Sequence, residues 1–246
     1  MKMATDYRSR IYESYASSFQ GVDLCFDGGA AKRWGRNYET YLRGWLPQDK
    51  GAAILDVACG GGYLLHFLKS KGYANLSGID ISNEQVGLAR QVCEEVIEGD
   101  VLDYLSYTSE RYDLIIGLDI VEHFGKNEVI PFLEGCGRAL NPGGRIILQT
   151  PNANSPWGAM YRYGDFSHEV IYNPKVLSHL MQIAGFGDPE AREAGPVVQG
   201  IKSAVRYGLW KMMRLAVKAG HYIETGGSGG SILTRAFLIS GNKQHY

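Results

Sequence analysis

Two histidines with acidic neighbours are the residues best suited to move protons near neutral pH. His123 follows Asp119 and Glu122 closely, and His168 lies three residues after Asp165. An imidazole has its ordinary pKa near neutrality, and a neighbouring carboxylate can orient the ring and raise its basicity. Each histidine is therefore a candidate general base that removes a proton from a hydroxyl group.

A glycine turn that follows an apolar segment is the strongest local feature of the chain. Residues 54–62 have the sequence ILDVACGGG. Consecutive glycines let the backbone turn tightly and approach a ligand without interference from Cβ atoms. A helix that begins directly after the turn points its free N–H groups at whatever binds there. The pattern predicts a ligand site here, although a purely structural turn is the alternative for a glycine run taken alone.

Acidic residues follow three successive apolar segments. Asp56 precedes the glycine turn, Asp80 ends the segment GIDI, and Asp100 stands in EGDV. A carboxylate in the place of Asp80 can accept hydrogen bonds from both hydroxyls of a ribose, and one in the place of Asp100 can accept from an adenine amino group. Together the three residues predict a nucleoside pocket.

Short apolar strands that alternate with helices must position these groups. The predicted strands cover residues 52–58, 76–81, 96–98, 113–117, 145–149, 191–198 and 232–239. Such alternation favours an α/β fold, a Rossmann-like sheet of seven mostly parallel strands with helices on both faces. Ligands of such sheets bind in a crevice beyond the carboxyl ends of the strands, where the three acidic residues are expected.

The residues before the sheet are rich in aromatic side chains. Their spacing, as in Tyr38, Tyr41 and Trp45, predicts amphipathic helices. We expect residues 1–50 to form a helical N-terminal cap and residues 51–246 to form one domain, with a basic helical insertion at about 200–222.

Five segments resemble the class I S-adenosylmethionine (SAM)-dependent methyltransferases, in the branch of ubiquinone-type and other small-molecule O-methyltransferases. They are LDVACGGGYL, SGIDIS, EGDV, YDLIIGLDIVEHF and LNPGGRIILQTPN. The resemblance is strong over residues 51–154 and moderate over 165–186, and it implies SAM as the cofactor. Ala58 departs from the family pattern, which usually has glycine there. The competing fingerprint of NAD-linked oxidoreductases fails, because Leu65 stands where a third small residue is required.

The resemblance also implies which residues bind the cofactor. It assigns the methionine half of SAM to the loop from Asp56 to Gly62, the ribose to Asp80, and the adenine to Asp100 and Val101. The full predicted set is Asp56, Ala58, Gly60, Gly62, Asp80, Ile81, Asp100, Val101 and Leu118.

The resemblance extends to both histidines. A D-x-[ST]-H segment after the fifth strand is similar to methyltransferases of sugar and polysaccharide pathways, so we expect His168 to be the base and Asp165 to orient it. Asp119, Glu122 and His123 are similar to a magnesium-associated cluster in some ubiquinone O-methyltransferases. Metal-free relatives carry nearly the same residues, so we expect a pocket without metal in which His123 shapes the cofactor site or serves as the second candidate base.

Three further residues are expected to line the substrate side of the pocket. Tyr161, Tyr163 and Asn152 follow the fifth strand, whose end faces the methyl group in this fold. They are placed on the substrate wall by position alone.

A basic segment follows the sixth strand. Between Gly200 and His221 the chain has five basic residues and no acidic one, together with an apolar stripe formed by Ile201, Val205, Leu209, Met212 and Ala216. We expect the stripe to pack on the domain or on a dimer partner. The alternative is a surface for an anionic substrate, such as a phosphate-bearing sugar or a lipid-linked glycan.

Composition limits the remaining function classes. The formal net charge of −1 does not favour nucleic acid as a partner. No stable membrane insertion and no signal peptide are predicted, and four scattered cysteines favour a cytoplasmic protein.

The predicted function is methyl transfer to an oxygen of a small molecule, with a sugar or nucleotide-linked sugar of polysaccharide biosynthesis as the leading acceptor. A phenolic or quinone-precursor acceptor is the main alternative, N-methylation of a small amine is another, and a homodimer is possible.

Overall fold

The computed structural model describes residues 7–12, 25–227 and 229–244. The strands are β1 (Ile54–Val57), β2 (Leu76–Asp80), β3 (Val96–Glu98), β4 (Tyr112–Leu118), β5 (Leu140–Pro151), β6 (Phe186–Glu193) and β7 (Ala236–Lys243). The α-helices are α1 (Tyr7–Tyr12), α2 (Gly28–Tyr41), α3 (Tyr63–Ser70), α4 (Asn83–Ala89), α5 (Val101–Tyr107), α6 (Val129–Ala139), α7 (Gly158–Gly164), α8 (Pro174–Ile183) and α9 (Ile201–Thr225). A 3₁₀ turn, Val121–His123, follows β4.

The described strands form a seven-stranded sheet with the order β3-β2-β1-β4-β5-β7-β6. Neighbouring strands from β3 to β5 run parallel, whereas β7 runs antiparallel to both β5 and β6. All four residues of β1 are buried, as expected for a parallel strand that is covered on both faces. The prediction of a Rossmann-like, mostly parallel sheet is confirmed.

Alternate residues of β1 enter two apolar cores. Leu55 and Val57 belong to a core that includes residues of α5, α6 and α8. Ile54 belongs to a second core that includes residues of α2, α3 and α4. Because successive side chains of a strand point to opposite faces, helices cover the sheet on both sides, as predicted.

The last two strands do not begin where the sequence pattern placed them. β6 starts at Phe186 rather than near residue 191, because Gly185 adopts a left-handed conformation (φ 89°) that ends the preceding helix and releases the chain at once. The polar segment after this glycine resembles a loop, yet β6 is an edge strand whose register shifts between Gly187 and Glu190, around Pro189. Proline is tolerated at such irregular edge positions. β7 correspondingly covers residues 236–243 instead of 232–239.

The described part of the N-terminal segment packs directly on the sheet domain. Asp27 caps α2 by accepting hydrogen bonds from the N–H groups of Gly29 (2.8 Å) and Ala30 (3.0 Å). Tyr38 is buried in the core beside α3, and Trp45 is buried beyond the end of the helix. The aromatic residues between positions 13 and 24 lie outside the described residues, and the domain division at residue 50 stays a prediction.

The basic insertion forms a single helix, α9, of 25 residues in which no residue is buried. The apolar stripe does not pack on the domain, because Ile201 is 86% exposed and Met212 is 71% exposed, and packing on a dimer partner stays a prediction. Among the helices that the structure describes, none is both long enough and apolar enough to cross a membrane.

Candidate active site

The carboxyl ends of β1, β2 and β4 border a cavity of about 480 Å³. β2 and β3 lie on one side of β1 while β4 and β5 lie on the other, so the sheet order changes direction here. Such a switch point leaves a crevice that suits a ligand. A second cavity of about 390 Å³ adjoins the first, and both are lined by Ala58, Gly60, Leu118 and Asp119.

The glycine turn between β1 and α3 contains three residues with left-handed backbone, Ala58 (φ 58°), Gly60 (φ 51°) and Gly62 (φ 84°). Glycine adopts this conformation without steric strain, whereas for alanine it costs about 1 kcal/mol. Gly62 lines neither cavity; a Cβ atom there would lie 3.0 Å from the Cα atom of Ala89 in α4. Glycine is therefore required at this position for the close packing of the turn against α4, and Gly62 does not border the space in which the cofactor is expected.

Asp80 connects the glycine turn to the end of β2. Its Oδ2 accepts a hydrogen bond from the Gly60 N–H (2.8 Å), and its Oδ1 accepts from the Ser82 N–H (2.9 Å). Burial raises the pKa of Asp80. Each carboxylate oxygen can accept a second bond. Because Asp80 lines the larger cavity, its carboxylate can receive both hydroxyls of a ribose.

Asp56 supplies a test of whether the site suits SAM. Its Oδ2 is buried and has no hydrogen-bond partner among the described residues, and Asp56 lines the smaller cavity. Burial, and secondarily the charge of Asp80, raise the pKa of Asp56 well above its usual range. A buried acceptor without a donor is costly, and the cationic amino group of SAM would satisfy it. The donor and acceptor set therefore fits the predicted cofactor.

Five residues of the predicted cofactor-binding set, including those assigned to the ribose and the adenine, line the same larger cavity. They are Asp80, Ile81, Asp100, Val101 and Leu118. Asp100 also caps α5, since its Oδ1 accepts hydrogen bonds from the N–H groups of Leu102 (2.7 Å) and Asp103 (3.3 Å). Its Oδ2 is then the atom that can accept from an adenine amino group.

His168 lines the larger cavity with a defined ring orientation. Its Nδ1 lies 2.6 Å from the backbone carbonyl oxygen of Tyr161. A carbonyl oxygen can only accept, so Nδ1 carries the proton and Nε2 carries the free lone pair. Arg162 donates to the carbonyl oxygen of His168 and holds the same segment in place. The ring thus offers an acceptor for a proton.

His123 lies beside His168 on the same wall of the cavity. The two ring centroids are 4.8 Å apart and the rings are nearly perpendicular. Burial, followed by the neighbouring His168 ring, lowers the pKa of His123 to about 4. Its Nδ1 lies 3.2 Å from the hydroxyl of Tyr12. At neutral pH His123 is therefore uncharged and is a weak base compared with an ordinary histidine.

Backbone hydrogen bonds bring the two histidine segments together. The carbonyl oxygen of Glu122 accepts from the N–H groups of Glu169 (2.8 Å) and Val170 (3.2 Å). These bonds join the 3₁₀ turn after β4 to the segment that follows α7. Residues that are 45 positions apart in the sequence therefore share one wall of the cavity.

Glu122, His123 and His168 offer potential metal-ligand atoms within 4.8 Å of one another. Glu122 Oε2 accepts a hydrogen bond from the Thr150 hydroxyl (2.9 Å), while its Oε1 is buried without a partner among the described residues. Burial, and then the charge of Asp119, raise the pKa of Glu122 well above its usual range. Asp119 itself binds the side chain of Gln149 (3.0 Å) and does not belong to this group.

Helix α1 forms part of the cavity wall, which the sequence pattern did not indicate. Arg8 and Tyr12 line the cavity. Arg8 pairs with Glu128 (2.7 Å) and donates to the carbonyl oxygen of His123 (3.0 Å). Tyr7 donates to Glu169, next to His168. A short helix more than 100 residues away in sequence thus anchors both histidine segments.

Arg235 is a second cationic residue of the cavity that the sequence analysis missed. It precedes β7 directly, and its guanidinium lies 5.7 Å from the ring centroid of Tyr161. Among the described residues, no carboxylate lies within 4.0 Å of its guanidinium. Its sequence neighbours, Thr234 and Ala236, are uncharged and belong to no recognised motif, so the sequence gives no signal that Arg235 lines the cavity.

Two of the three residues predicted for the substrate wall lie away from it, and these expectations are corrected. Asn152 is fully buried, and its side-chain nitrogen donates to the carbonyl oxygens of Ile232 and Thr234 (3.0 Å each), so it supports the loop before β7. Tyr163 is 82% exposed on α7. Tyr161, by contrast, lines the cavity as expected.

The hydrogen bonds described for the Asp165 side chain run to Ser167 rather than to the His168 ring. Asp165 Oδ1 accepts hydrogen bonds from the N–H (2.9 Å) and the hydroxyl (2.6 Å) of Ser167. The ring nitrogen of His168 instead binds the Tyr161 carbonyl oxygen. A three-residue separation allowed an aspartate–histidine pair, but the local turn directs the carboxylate to the serine.

Comparison with known sequences identifies the family. A profile described as a methyltransferase domain matches residues 27–188, more than half of the chain. A ubiquinone biosynthesis O-methyltransferase from Pseudomonas aeruginosa (strain UCBPP-PA14) is 30% identical over 121 residues, which cover 45% of this chain and 50% of that protein. The chain thus spans about half the length of the first curated relatives that it matches.

Solved structures share the fold over nearly the whole chain. A SAM-dependent methyltransferase from Archaeoglobus fulgidus is 20% identical, with a TM-score of 0.62, over 97% of this chain and 100% of that one. Magnesium protoporphyrin IX methyltransferase from Synechocystis PCC 6803, solved with bound SAM, is 16% identical, with a TM-score of 0.59, over 99% of this chain and 100% of that one. At these identities the likeness concerns the fold. Taken with the profile match, it leads to one assignment: the chain belongs to the methyltransferase-domain family of class I SAM-dependent methyltransferases, and its cofactor is SAM.

Proposed function

We propose that the chain transfers a methyl group from SAM to a hydroxyl oxygen of a small molecule, with His168 as the general base. The observation that carries the proposal is the orientation of the His168 ring, whose Nδ1 binds the Tyr161 carbonyl oxygen (2.6 Å) and leaves Nε2 as a proton acceptor in the cavity. His123 is the second histidine of the cavity, but its pKa of about 4 makes it the weaker base.

SAM, when bound, supplies a methyl group that is already activated on a sulfonium. The chain then has to align the acceptor, exclude water and take up one proton. The acceptor oxygen forms the new C–O bond as the C–S bond breaks with its electron pair staying on sulfur, and the hydroxyl proton passes to His168 Nε2. Arg8 and Tyr12 of α1 close one side of the cavity and limit the access of water.

The leading acceptor class is a sugar that carries a phosphate or a nucleotide, of the kind used in polysaccharide biosynthesis. Arg235 lines the cavity with no ion pair among the described residues, and only its Nη1 donates, to the Tyr161 hydroxyl (3.5 Å), so the rest of its guanidinium can bind an anionic group. Arginine binds phosphate through two parallel hydrogen bonds, which gives orientation as well as affinity.

A phenolic or quinone-precursor acceptor is the second candidate. It is favoured by the curated relatives, whose name is ubiquinone biosynthesis O-methyltransferase. Tyr12, Ile120 and Phe124 in the cavity wall offer apolar surface that suits an aromatic ring.

One assay separates the two classes. Formation of demethylated SAM is measured with a panel of sugar phosphates and nucleotide sugars and, in parallel, with catechols. For an anionic sugar acceptor, Arg235→Gln should raise KM at least about tenfold with little change in kcat, since a hydrogen bond to a charged group is lost. The matched variant Arg111→Gln, which precedes β4 at the opposite end of the parallel strands, should behave as wild type. Turnover of catechols alone, with no effect of Arg235→Gln, would favour the second candidate.

We also propose that the reaction needs no metal ion. Both imidazole rings are oriented by hydrogen bonds within the protein, through the Tyr161 carbonyl oxygen and the Tyr12 hydroxyl. Activity on the true acceptor should therefore survive EDTA unchanged. Loss of activity that added Mg²⁺ restores would contradict this and would make Glu122, His123 and His168 candidate ligands.

A further inference from the structure

Helix α9 presents to solvent an apolar stripe that keeps Ile201, Val205 and Met212 of the predicted stripe and extends to Leu215 and Ile223. Large apolar side chains recur along it at the spacing of one helix face, and most of their surface is exposed: Ile201 (86%), Val205 (58%), Met212 (71%), Leu215 (70%) and Ile223 (83%). At 100° per residue, all five fall within about a quarter of the helix circumference. A contiguous exposed apolar surface of this kind is a mark of an interaction site.

The opposite side of α9 attaches the helix to the domain. The Trp210 ring lies 6.0 Å from the ring of Trp157, centroid to centroid. Arg214 Nη1 lies 2.6 Å from Glu193 Oε1, at the end of β6. Trp210 and Arg214 are about half a turn away from the apolar stripe, so these two contacts fix the stripe in its outward orientation.

Cationic side chains border the apolar stripe on both sides. Lys202 lies along one border with Arg206 beyond it, and Lys211 and Lys218 lie along the other. Among the described residues none of these four side chains has a carboxylate within 4.0 Å. α9 contains a single acidic residue, Glu224, near its C-terminal end. The exposed side is therefore strongly cationic.

We infer that α9 lies flat on an anionic lipid surface, with its apolar stripe among the acyl chains and its lysines and arginine at the headgroups. An apolar face between two rows of basic residues is the pattern of helices that bind the membrane interface without crossing it. The 25 residues extend over about 37 Å, enough to engage several anionic headgroups at once.

Charge argues against a second copy of the chain as the occupant of this stripe. In a symmetric dimer the same helix face meets itself. The unpaired cations beside the stripe, Lys202, Arg206, Lys211 and Lys218, would then approach those of the partner with only Glu224 to offset them. Like charges brought together at an interface cost several kcal/mol, whereas anionic lipid complements them.

The attachment of α9 also relates the lipid surface to the cavity. Trp157, which contacts Trp210, directly precedes α7. Tyr161 of α7 lines the cavity and holds His168. The helix that forms one wall of the cavity is thus also the support of the lipid-binding helix, although the inference about α9 does not depend on the proposed acceptor.

Vesicle co-sedimentation tests the inference with the full chain. The bound fraction is measured on phosphatidylcholine vesicles with and without phosphatidylglycerol. The test variant is V205E/I223E, which places two carboxylates in the stripe. Its matched control is V176E/I183E on α8, where the same residue types are 47% and 55% exposed. Since all four positions are exposed, the thermal unfolding and the SAM affinity of both variants should match wild type.

Wild type and V176E/I183E should bind the phosphatidylglycerol vesicles and bind phosphatidylcholine alone more weakly. V205E/I223E should bind the anionic vesicles at least about tenfold more weakly. The variant K202Q/K211Q should lose most of the preference for phosphatidylglycerol. Equal binding by V205E/I223E and wild type would overturn the inference. Failure of the wild type to bind either kind of vesicle would also overturn the inference. A wild type that is a dimer in solution, with V205E/I223E a monomer, would instead identify a second copy of the chain as the occupant of the stripe.

Discussion

The cofactor edge of the cavity and its acceptor wall are built in different ways. Asp56, Asp80 and Asp100, on the cofactor edge, lie at or just beyond the carboxyl ends of three consecutive strands within a short stretch of chain. The acceptor wall collects Arg8 and Arg235, together with the two histidines, from nearly the full length of the sequence. The cofactor edge is thus specified by local patterns, whereas the acceptor wall exists only in the folded molecule.

The two regions also differ in how their polar groups are satisfied. On the cofactor edge, Asp56 is buried with an unpartnered oxygen, and Ala58 adopts a left-handed backbone. On the acceptor wall, Arg8 is paired with Glu128, and His168 is held by a carbonyl oxygen. The acceptor wall also has one buried oxygen without a partner among the described residues, Glu122 Oε1, but the cofactor edge combines such an oxygen with a left-handed alanine, so we expect it to gain stability when a ligand binds. Four variants test this contrast.

His168→Ala should have the largest effect. The variant removes the proton acceptor of the acceptor wall, so turnover should fall by roughly 10² to 10⁴-fold while SAM affinity stays nearly unchanged. Steady-state kinetics and calorimetric titration measure the two quantities. His179→Ala on the exposed side of α8 is the matched control and should be neutral. Near-normal turnover of His168→Ala would show that the residue is structural, or that the acceptor needs no base.

His123 should make unfolding stability depend on pH. Its pKa of about 4 in the folded chain is below the ordinary histidine value, so the unfolded chain binds the proton more tightly. The free energy of unfolding should therefore fall as the pH decreases from about 6.5 to about 4, by about 3 kcal/mol from this group. Urea unfolding across that range should show a shallower dependence for His123→Gln. Identical slopes for variant and wild type would contradict the burial of an uncharged ring.

Asp80→Ala tests the cofactor edge. It removes the acceptor for two ribose hydroxyls, so SAM affinity should weaken by about 1.5–3 kcal/mol. Asp80→Asn keeps one side-chain oxygen as an acceptor, so its SAM affinity should weaken less than that of Asp80→Ala. Calorimetric titration compares the two variants with wild type. If Asp80→Ala binds SAM as tightly as wild type does, the assignment of the ribose to Asp80 is wrong.

Ala58→Gly should have the smallest effect, and in the opposite direction. Glycine adopts the observed φ of 58° without steric strain, so the free energy of unfolding should rise by up to about 1 kcal/mol. Ala74→Gly, at an exposed position without positive φ, is the matched control and should bring no gain. Denaturant unfolding measures both. Destabilisation by Ala58→Gly would mean that the turn is not strained.

The sequence predicted the sheet and the cofactor edge because their signals are local. Apolar runs that end in an acidic residue or a glycine specify both a strand and the turn at its carboxyl end, as at Asp56 and Asp80. The apolar pattern predicts the start of β6 too late, because this polar, proline-containing edge strand lacks the apolar alternation of a buried strand.

The acceptor wall could not be predicted to the same degree. Arg8 and Arg235 are isolated residues, and only tertiary packing brings them to the cavity. The position of Asn152 and Tyr163 after β5 predicts the cavity wall, but the rotation of α7 and the loop before β7 determine which side chains face the cavity. For α9 the periodicity revealed an apolar stripe but not the side to which it points, because Trp210 and Arg214 on the other face attach the helix.

The position of β7 has a consequence for the newly synthesised chain. β7 is the last strand in sequence, yet it lies between β5 and β6 in the sheet. Until residues 236–243 have left the ribosome, the edge of β5 that β7 later covers has no partner strand. An uncovered strand edge is a template for pairing with other chains. The nascent protein is therefore most prone to aggregate just before β7 emerges, and Arg235 reaches the cavity in the same step that closes this edge.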